Sequence, residues 1–352
     1  MRVISEPETR KLVSVADAHA VVEAAYAEYG REKNVTADPA LALMIVPLDV
    51  PSICSAKGSF LAKRGIWGVR MGMQMGNYYS TVHDTTSGKI LGFVDETWLS
   101  RRRVGTTAAV AAKHLGRKDS SVVAMIGAGQ LMEEVYLCMP HVFPNAAYRI
   151  ASRTYEGAKK FADRLGTPNR PSLTAVATAA EAVKGADIVV TITVAKEPMI
   201  LPGMLKPGAT MLSMGGAPEV AFGALREFER IFVDELSYAL FRGDFAAWVN
   251  SGNITADELT RKVDGNIGEL VCGDVKGRVA DDQKILAVIQ GMAVCDLAMA
   301  AFAIDKAAAS GMGTVVESIA GSAGRTPPKG NPPAAHIAQE LAKSRAMANQ
   351  KR

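Results

Sequence analysis

The spacing of apolar residues divides the first third of the chain into stretches with different periods. Ser14 followed by Asp17 has the spacing of a capping box, and apolar residues then recur at helical intervals. From Leu41 to Val94, short apolar runs alternate with glycines and prolines, and Thr85-Thr86-Ser87-Gly88 is typical of a turn between strands. These patterns predict an amphipathic helix followed by an antiparallel sheet. The alanine-rich stretch from Trp98 to His114 then predicts a second helix.

Beyond residue 116 the pattern changes to a repeated alternation of strand, turn and helix. The strand-like runs are Val122–Ile126, Tyr148–Ala151, Ala186–Val194, Met211–Met214 and Ile231–Asp234. Such alternation predicts a parallel, doubly wound sheet of Rossmann type. A long helical pattern from Gln283 to Ala309 is expected to lead the chain back to the first domain.

The chain has 352 residues, which exceeds what a single hydrophobic core usually fills. We therefore expect an α/β protein in which a discontinuous α+β domain accompanies the parallel sheet. The predicted limits are 1–116 for the first part of the α+β domain, 117–297 for the parallel-sheet domain and 298–320 for the return. Residues 321–352 are predicted to be a linker rich in proline and glycine with a C-terminal extension.

Composition and charge argue against several classes of protein. Apolar residues make up 48% of the chain and charged residues 22%, as in ordinary globular proteins. The net charge of +4 is small and its basic residues are scattered, so nucleic acid is not an expected partner. Arg101-Arg102-Arg103 is the one dense basic run, read either as a solvated helix face or as functional. With no apolar signal-peptide core and no long apolar span, we expect a cytoplasmic protein without a membrane partner.

The cysteines and histidines do not form a pattern associated with metal binding or cross-linking. The four cysteines, Cys54, Cys138, Cys272 and Cys295, lie far apart and within apolar runs. The five histidines have no metal-ligand spacing to one another or to the cysteines. We therefore expect neither a disulfide framework nor a metal site.

A glycine pair directly after the first strand of the parallel sheet indicates a dinucleotide site. Gly127-Ala128-Gly129 follows the apolar strand Val122–Ile126 and precedes a helical pattern from Gln130 to Met139. In such a unit the first glycine permits the tight turn, the second lets the backbone approach the pyrophosphate, and the helix N-terminus favours the phosphate charge. Met132 stands where the fingerprint has a third small residue.

The second strand of the parallel sheet ends without the acidic residue that commonly binds the ribose hydroxyls of NAD. Ser152-Arg153-Thr154 stands there instead, and these groups suit a 2′-phosphate. We therefore expect NADP(H) to be favoured and NAD(H) to be possible; the alternative is an ordinary polar loop. The predicted cofactor-binding residues are Gly127, Ala128, Gly129, Gln130, Leu131, Ser152, Arg153, Thr154, Thr191, Thr193, Met214 and Gly215.

Motifs spread from Lys57 to Gly313 together resemble the ornithine cyclodeaminase and mu-crystallin family. They are Leu99-Ser100-Arg101-Arg102-Arg103, Gly127-Ala128-Gly129, Ala186–Thr191 with Glu197-Pro198, Lys206-Pro207-Gly208-Ala209, Gly243-Asp244, Gly268-Glu269-Leu270, Gly277-Arg278 and Asp296-Leu297-Ala298. The resemblance implies a homodimer built through the discontinuous domain, which also binds substrate. It implies an active site between the domains and chemistry at the carbon–nitrogen bond of an amino or imino acid, using the C4 hydride of nicotinamide.

The resemblance assigns roles to two residues. Arg103 takes the place of the family arginine, and we expect it to clamp a substrate carboxylate because guanidinium offers two parallel N–H donors. Asp296 matches a family aspartate near the nicotinamide.

Two departures from the family pattern bear on the reaction. Arg70 replaces a substrate-contacting lysine, and arginine binds anions well but transfers protons poorly. Lys57 is the alternative proton donor, unless it is a solvated loop residue. Ala217 occupies the place of the aspartate that cyclodeaminases carry after the fifth strand, and Glu219 is a weak substitute for it.

The leading hypothesis is an NAD(P)H-dependent reductase of a small imino acid or cyclic ketimine, or the reverse amino-acid dehydrogenase. Its predicted catalytic residues are Lys57, Arg70, Arg103 and Asp296. The alternatives are a redox-neutral cyclodeaminase with bound NAD and a non-catalytic, crystallin-like NADP-binding protein.

Overall fold

The computed structural model describes residues 1–31, 43–45, 54–73 and 76–317. The strands in these ranges are β1 (Arg2–Ile4), β2 (Leu43–Ile45), β3 (Cys54–Leu61), β4 (Ile66–Met73), β5 (Tyr78–Asp84), β6 (Ile90–Asp95), β7 (Val122–Ile126), β8 (Ala147–Ala151), β9 (Leu173–Ala175), β10 (Ile188–Thr191), β11 (Thr210–Ser213), β12 (Arg230–Val233), β13 (Gly265–Asn266), β14 (Ile285–Val288) and β15 (Thr314–Val315). The helices are α1 (Glu6–Leu12), α2 (Val15–Arg31), α3 (Leu99–Leu115), α4 (Gln130–Cys138), α5 (Tyr155–Leu165), α6 (Ala179–Val183), α7 (Leu236–Phe241), α8 (Gly243–Asn250), α9 (Ala256–Thr260), α10 (Ile267–Cys272) and α11 (Ala293–Ser310).

The first sheet is built largely from the segment predicted to be antiparallel. Its strand order is β15-β1-β6-β5-β4-β3-β2. The neighbours from β6 to β2 pair antiparallel, whereas β1 pairs parallel to β6 and antiparallel to β15. Because β15 comes from the far end of the described chain, this part of the molecule is discontinuous, as predicted.

The second sheet is parallel throughout its paired strands. Its order is β13-β12-β14-β11-β10-β7-β8-β9. Strand order reverses between β7 and β10, where a doubly wound sheet opens a crevice at the carboxyl ends of its strands. The predicted α/β class and Rossmann-type sheet are therefore confirmed.

The helical pattern expected from Gln283 to Ala309 is wrong in its first part. Ile285–Val288 forms the fully buried strand β14 between β11 and β12, and α11 begins only at Ala293. A short run that is apolar at every position has no period by which strand and helix can be distinguished. Gly291, with φ of 90°, lies between the two elements.

Helix α11 packs on the first sheet, against β3, β4, β5, β6 and β1. The expected domain boundary after residue 297 falls inside this helix. Residues 1–317 form one compact unit, so the division into domains stays a prediction. The proposed linker and extension, 321–352, lie outside the described residues. Within the ranges described, no helix is long and apolar enough to span a membrane.

Candidate functional site

The predicted phosphate-binding turn lies at the carboxyl edge of the parallel sheet. Gly127 has φ of 109°, and a Cβ placed on it would lie 2.3 Å from the carbonyl oxygen of Ile192, so only glycine fits there. Its N–H donates to the carbonyl oxygen of Ala151, 2.9 Å away, which ties the turn to the end of β8. The turn therefore requires glycine at position 127 and is hydrogen-bonded to the end of β8.

Helix α4 begins directly after this turn, with Gly129 as its N-cap. A Cβ on Gly129 would meet no heavy atom within 4 Å, so the backbone here faces open space. Gln130 and Leu131 form the first turn of the helix, where N–H groups and the helix dipole favour an anion. Met132, in place of the third small residue, is buried. Close packing comes instead from Gly105 of α3, whose added Cβ would lie 2.3 Å from the backbone of Glu134.

The loop after β8 reaches the same edge of the sheet. Ile126 pairs with Ala151 across β7 and β8, so Ser152 follows beside Gly127. Thr154 caps α5 by accepting a hydrogen bond from the Gly157 N–H at 3.1 Å, and the Ser152 hydroxyl donates to the Thr154 carbonyl oxygen at 2.8 Å. Arg153 is exposed and makes no hydrogen bond or ion pair with another described residue. The loop thus holds one free guanidinium at the dinucleotide edge.

The predicted cofactor residues of β10 and β11 are organised by a buried glutamate. The Glu219 carboxyl accepts hydrogen bonds from the Thr191 hydroxyl at 2.6 Å, the Thr193 N–H at 2.7 Å and the Gly215 N–H at 2.8 Å. Thr191 is fully buried, so its side chain supports the loop instead of facing the crevice. Met214 follows directly after β11 and precedes Gly215 at this edge. Glu219 therefore fixes two loops at once.

Arg103 and Asp296 form the centre of a buried charged cluster. Arg103 donates from Nε to Oδ1 of Asp296 at 2.8 Å and from Nη2 to Oδ2 at 3.3 Å. Burial lowers the pKa of the Arg103 guanidinium, but the adjacent Asp296 carboxylate outweighs burial and raises it. The paired N–H donors expected to bind a substrate carboxylate are thus directed at Asp296. The Nη1 atom points toward Gly291, from whose added Cβ it would be 2.8 Å away.

This contact places the cluster beside the dinucleotide sheet. Gly291 follows β14, and its N–H donates to Oδ2 of Asp234 at 2.6 Å. Gln290 Nε2 donates to the carbonyl oxygen of Gly215 at 2.9 Å. Arg103 therefore lies next to the loop after β14, which in turn contacts the loop at Gly215.

Arg70 extends the cluster from the first sheet. Its Nε lies 3.3 Å from Oε2 of Glu96 and 3.8 Å from Oδ1 of Asp296, and its Nη2 donates to the Ser100 hydroxyl at 2.8 Å. The guanidinium stacks 3.9 Å from the centre of the Tyr78 ring. These contacts leave Nη1 of Arg70, like Nη1 of Arg103, without a hydrogen bond to the described residues.

Lys57 lies beside Arg70 in the register of β3 and β4. Its Nζ lies 3.8 Å from the centre of the Tyr238 ring, on α7. Burial lowers the pKa of the Lys57 ammonium, although Tyr238 and Asp296 oppose the shift. Lys57 is thus a half-buried amine at the cluster, and the structure does not place it as a solvated loop residue. In the described part of the chain, no three histidine, cysteine or carboxylate side chains converge as metal ligands.

Known proteins are similar to this chain in sequence and in fold. The sequence profile of the ornithine cyclodeaminase/mu-crystallin family matches residues 68–311. The chain belongs to this family. A Δ1-pyrroline-2-carboxylate reductase of Bacillus cereus is 26% identical over 330 residues, which cover 90% of this chain and all of that protein.

Two solved structures of other proteins have the same architecture. The Δ1-pyrroline-2-carboxylate reductase of Thermococcus litoralis, in complex with NADH and L-proline, superposes with a TM-score of 0.82 at 25% identity. That match covers 90% of this chain and 100% of the other. An archaeal alanine dehydrogenase dimer with bound NAD has a TM-score of 0.82 at 22% identity, covers 91% of this chain and 99% of the other, and supports the fold.

Three residues of the candidate site were not predicted from the sequence. Glu96 and Tyr238 contact predicted catalytic residues, and Asp234 holds the backbone beside Arg103. The sequence gives a reason to consider Asp234, since it ends a predicted strand. Nothing in the local sequence indicates Glu96 or Tyr238, because their partners lie far along the chain or on another sheet. His83 of β5 stacks 4.2 Å from the Trp67 ring, away from the cluster.

The basic triplet is not a solvated helix face. Arg102 is buried, with its Nε 3.1 Å from Oε2 of Glu134, and Arg103 is buried against Asp296. Arg101 alone is partly exposed, and it donates a hydrogen bond to Gln130. Successive side chains on a helix point in different directions, and here two of the three directions lead into the protein.

Proposed function

We propose that this protein is an NAD(P)H-dependent reductase of the C=N bond of a small imino acid or cyclic ketimine. The observation that carries the proposal is the position of Arg103, beside Gly291 at the carboxyl edge of the dinucleotide sheet. Arg70 lies 3.8 Å from the Asp296 carboxylate that also binds Arg103, and Lys57 pairs with Arg70 across β3 and β4. Parallel sheets of this kind bind their ligands at that edge. Relatives that match nearly the whole chain are named as reductases of a cyclic imino acid, which supports the same reaction.

The proposed substrate contacts follow from the donors that remain free. Nη1 of Arg70 and Nη1 of Arg103 each have N–H groups to offer to one carboxylate, and ion-assisted hydrogen bonds of this kind are short and strong. Asp296 fixes the Arg103 side chain, and Tyr78 and Ser100 fix that of Arg70. The substrate is thereby oriented by two guanidinium groups whose positions are set before it binds.

Lys57 is the proposed proton donor. A C=N carbon accepts hydride more readily once its nitrogen is protonated, and the nicotinamide supplies that hydride when bound. The lowered pKa makes the Lys57 ammonium a better acid than an exposed lysine. Arginine cannot take this part, because it keeps its proton in proteins.

The proposed cofactor is NADPH in preference to NADH. Arg153, Ser152 and Thr154 stand at the edge where the ribose of the adenosine half is expected, and no carboxylate occupies the end of β8. A free arginine there can pair with a 2′-phosphate. The two solved structures named above contain NADH and NAD, so binding of NADPH and NADH must be compared directly on this protein.

The proposed assembly is a homodimer that uses the outer face of the first sheet. Trp67, Met71 and Met73 alternate along β4 and are between 37% and 40% exposed, and Leu91 of β6 is 38% exposed. A row of exposed apolar side chains of this kind is characteristic of a protein interface. Met75, the next position of this alternation, lies outside the described residues.

The experiment that tests the proposed function follows nicotinamide absorbance during separate incubations with Δ1-pyrroline-2-carboxylate, with acyclic imines formed from 2-oxo acids and ammonia, and with ornithine, whose conversion is also measured. A reductase oxidises one cofactor per substrate reduced. A cyclodeaminase would convert ornithine without net change in absorbance, and a binding protein would show cofactor affinity alone. Either of these last two results would contradict the proposal.

A further inference from the structure

Glu96 is a buried carboxyl with poor compensation for its charge. It follows β6 and is 1% exposed. Its N–H donates to the Tyr78 carbonyl oxygen, and its own carbonyl oxygen accepts from the Ser100 N–H, each at 2.7 Å, so the backbone is fixed. Within the described residues, neither carboxyl oxygen makes a hydrogen bond of standard geometry. Its main partner is Arg70, at 3.3 Å.

Arg70 is shared between two carboxyl groups. The same Nε atom lies 3.3 Å from Glu96 and 3.8 Å from Asp296. Asp296 has in addition two hydrogen bonds from Arg103. Of the two acids, Glu96 is therefore the one that is more easily protonated.

The groups around Glu96 act in opposite directions. Burial, followed by the negative charge of Asp296, raises the pKa of Glu96 to about 8, against the attraction of Arg70, the nearby Ser80 hydroxyl and Arg103. These groups come from four elements: Arg70 from β4, Ser80 from β5, Arg103 from α3 and Asp296 from α11.

We propose that Glu96 takes up one proton from solvent when a substrate carboxylate binds to Arg70 and Arg103. This inference rests on the proposed function. Arg70 is the cation next to Glu96, and a carboxylate that binds Arg70 competes with Glu96 for the same guanidinium. It also adds negative charge beside a carboxyl that is buried and already close to Asp296. A proton on Glu96 removes this repulsion and leaves Arg70 to the bound carboxylate. No bond to carbon changes and no redox step is involved, since the carboxylate gains only a proton.

The coupling makes affinity for an anionic substrate depend on pH. Near pH 6, Glu96 already holds its proton, so binding takes up none. Above about pH 8, Glu96 is ionised in the free protein and must take up a proton from solvent when the ligand binds. The dissociation constant then rises by about tenfold per pH unit. The affinity for a neutral ligand of the same shape depends less on pH. Glu96 therefore sets how the preference for a carboxylate over a neutral ligand changes with pH.

The test measures binding of pyrrole-2-carboxylate to the cofactor-loaded enzyme by calorimetry. This planar carboxylate keeps a single charge from about pH 6 to about pH 9, so any pH dependence comes from the protein. Titrations in two buffers with different ionisation enthalpies give the number of protons taken up. The wild type should take up none near pH 6 and approach one per site above about pH 8. Absence of proton uptake in the wild type overturns the proposal without any variant, so the test does not depend on whether a substitution at position 96 folds.

Two variants test whether the proton is taken up by Glu96. Glu96→Gln should bind with a dissociation constant that is flat over this range and with no proton uptake. Asp95→Asn, a matched carboxyl-to-amide change one residue away, should behave as the wild type does, since Asp95 accepts a hydrogen bond from the Thr97 N–H and makes no contact with Arg70. Binding without proton uptake in the wild type, or uptake that persists in Glu96→Gln, overturns the inference alone. If neither carboxylate binding nor imine reduction occurs at any pH, the proposed function fails as well.

Discussion

Arg103 and Asp296 are joined by two hydrogen bonds, although 193 residues separate them in the chain. One residue lies on α3 and the other on the first turn of α11. The pair connects two helices and fixes the remaining Nη1 group next to Gly291. The carboxylate of Asp296 thus orients the arginine, and the arginine in turn presents one nitrogen to the crevice.

Arg103→Lys should lower kcat/KM for an active imino acid by at least tenfold. Lysine keeps the charge, but it cannot bridge Asp296 and also present a second donor beside Gly291. The loss of one charge-assisted hydrogen bond, about 1.5 to 3 kcal/mol, sets this scale. Steady-state kinetics measure the effect, with cofactor affinity measured in parallel and expected to change little.

Arg117→Lys is the matched control for this variant. Arg117 also donates from Nε and Nη2 to one aspartate, Asp119, at 3.0 and 2.7 Å, but this pair lies on the surface before β7. Its replacement should leave kcat/KM unchanged. Equal activity of Arg103→Lys and the wild type would show that the Nη1 group takes no part in substrate binding.

Arg102→Ala should destabilise the protein by about 3 to 5 kcal/mol, because it leaves the buried Glu134 carboxyl without its cation. Trp98 also loses the guanidinium that packs 5.0 Å from its ring. Urea denaturation measures the free energy of unfolding. Arg101→Ala is the control and should cost less than about 1 kcal/mol, since its ion pair is partly exposed. Similar midpoints for the two variants would contradict this account of the triplet.

The sequence predicted elements whose period or local motif is distinct, and it failed where burial is uniform or contacts are distant. The glycine turn at Gly127 is local, so strand, turn and helix could be read together. Strand β14 is apolar throughout and has no such period. The Arg70–Glu96 pair depends on how β4 and the end of β6 lie relative to each other, with β5 between them. No local pattern encodes that separation.

Arg153→Ala should reduce the preference for NADPH over NADH by about 1 to 3 kcal/mol, the value of one charge-assisted contact with the 2′-phosphate. Fluorescence titration of both cofactors measures it. Arg164→Ala, in the last turn of α5, is the control, because Arg164 is exposed but pairs with Glu133. If wild-type protein binds both cofactors equally well, or binds NADH more tightly, the loop after β8 does not read the phosphate.

Met71→Glu should convert the proposed dimer to a monomer. A carboxylate in the centre of an apolar interface loses its hydration without gaining a partner. Size-exclusion chromatography with light scattering gives the mass, expected to fall to that of one chain. Val279→Glu changes an equally apolar residue that is 58% exposed and lies outside the first sheet, and it should leave the mass at twice that value. A wild type that is already monomeric would rule out the assembly.

The pH dependence of stability tests the environment of Glu96 without any substrate. Its folded-state pKa, about 8, lies above the ordinary value of 4.5, so the folded protein binds a proton that the unfolded chain releases. The stabilisation from that proton is complete below about pH 4.5 and is lost as the pH rises through about 8.

Glu96→Gln has no such proton to lose. The free energy of unfolding of Glu96→Gln should therefore increase relative to that of the wild type as the pH rises from about 5 to about 8, by up to about 1.4 kcal/mol per pH unit. Urea denaturation at several pH values measures the difference, with Asp95→Asn as the control that should follow the wild type. A difference between Glu96→Gln and the wild type that does not grow with pH would mean that Glu96 is ionised in the folded protein and well paired with Arg70.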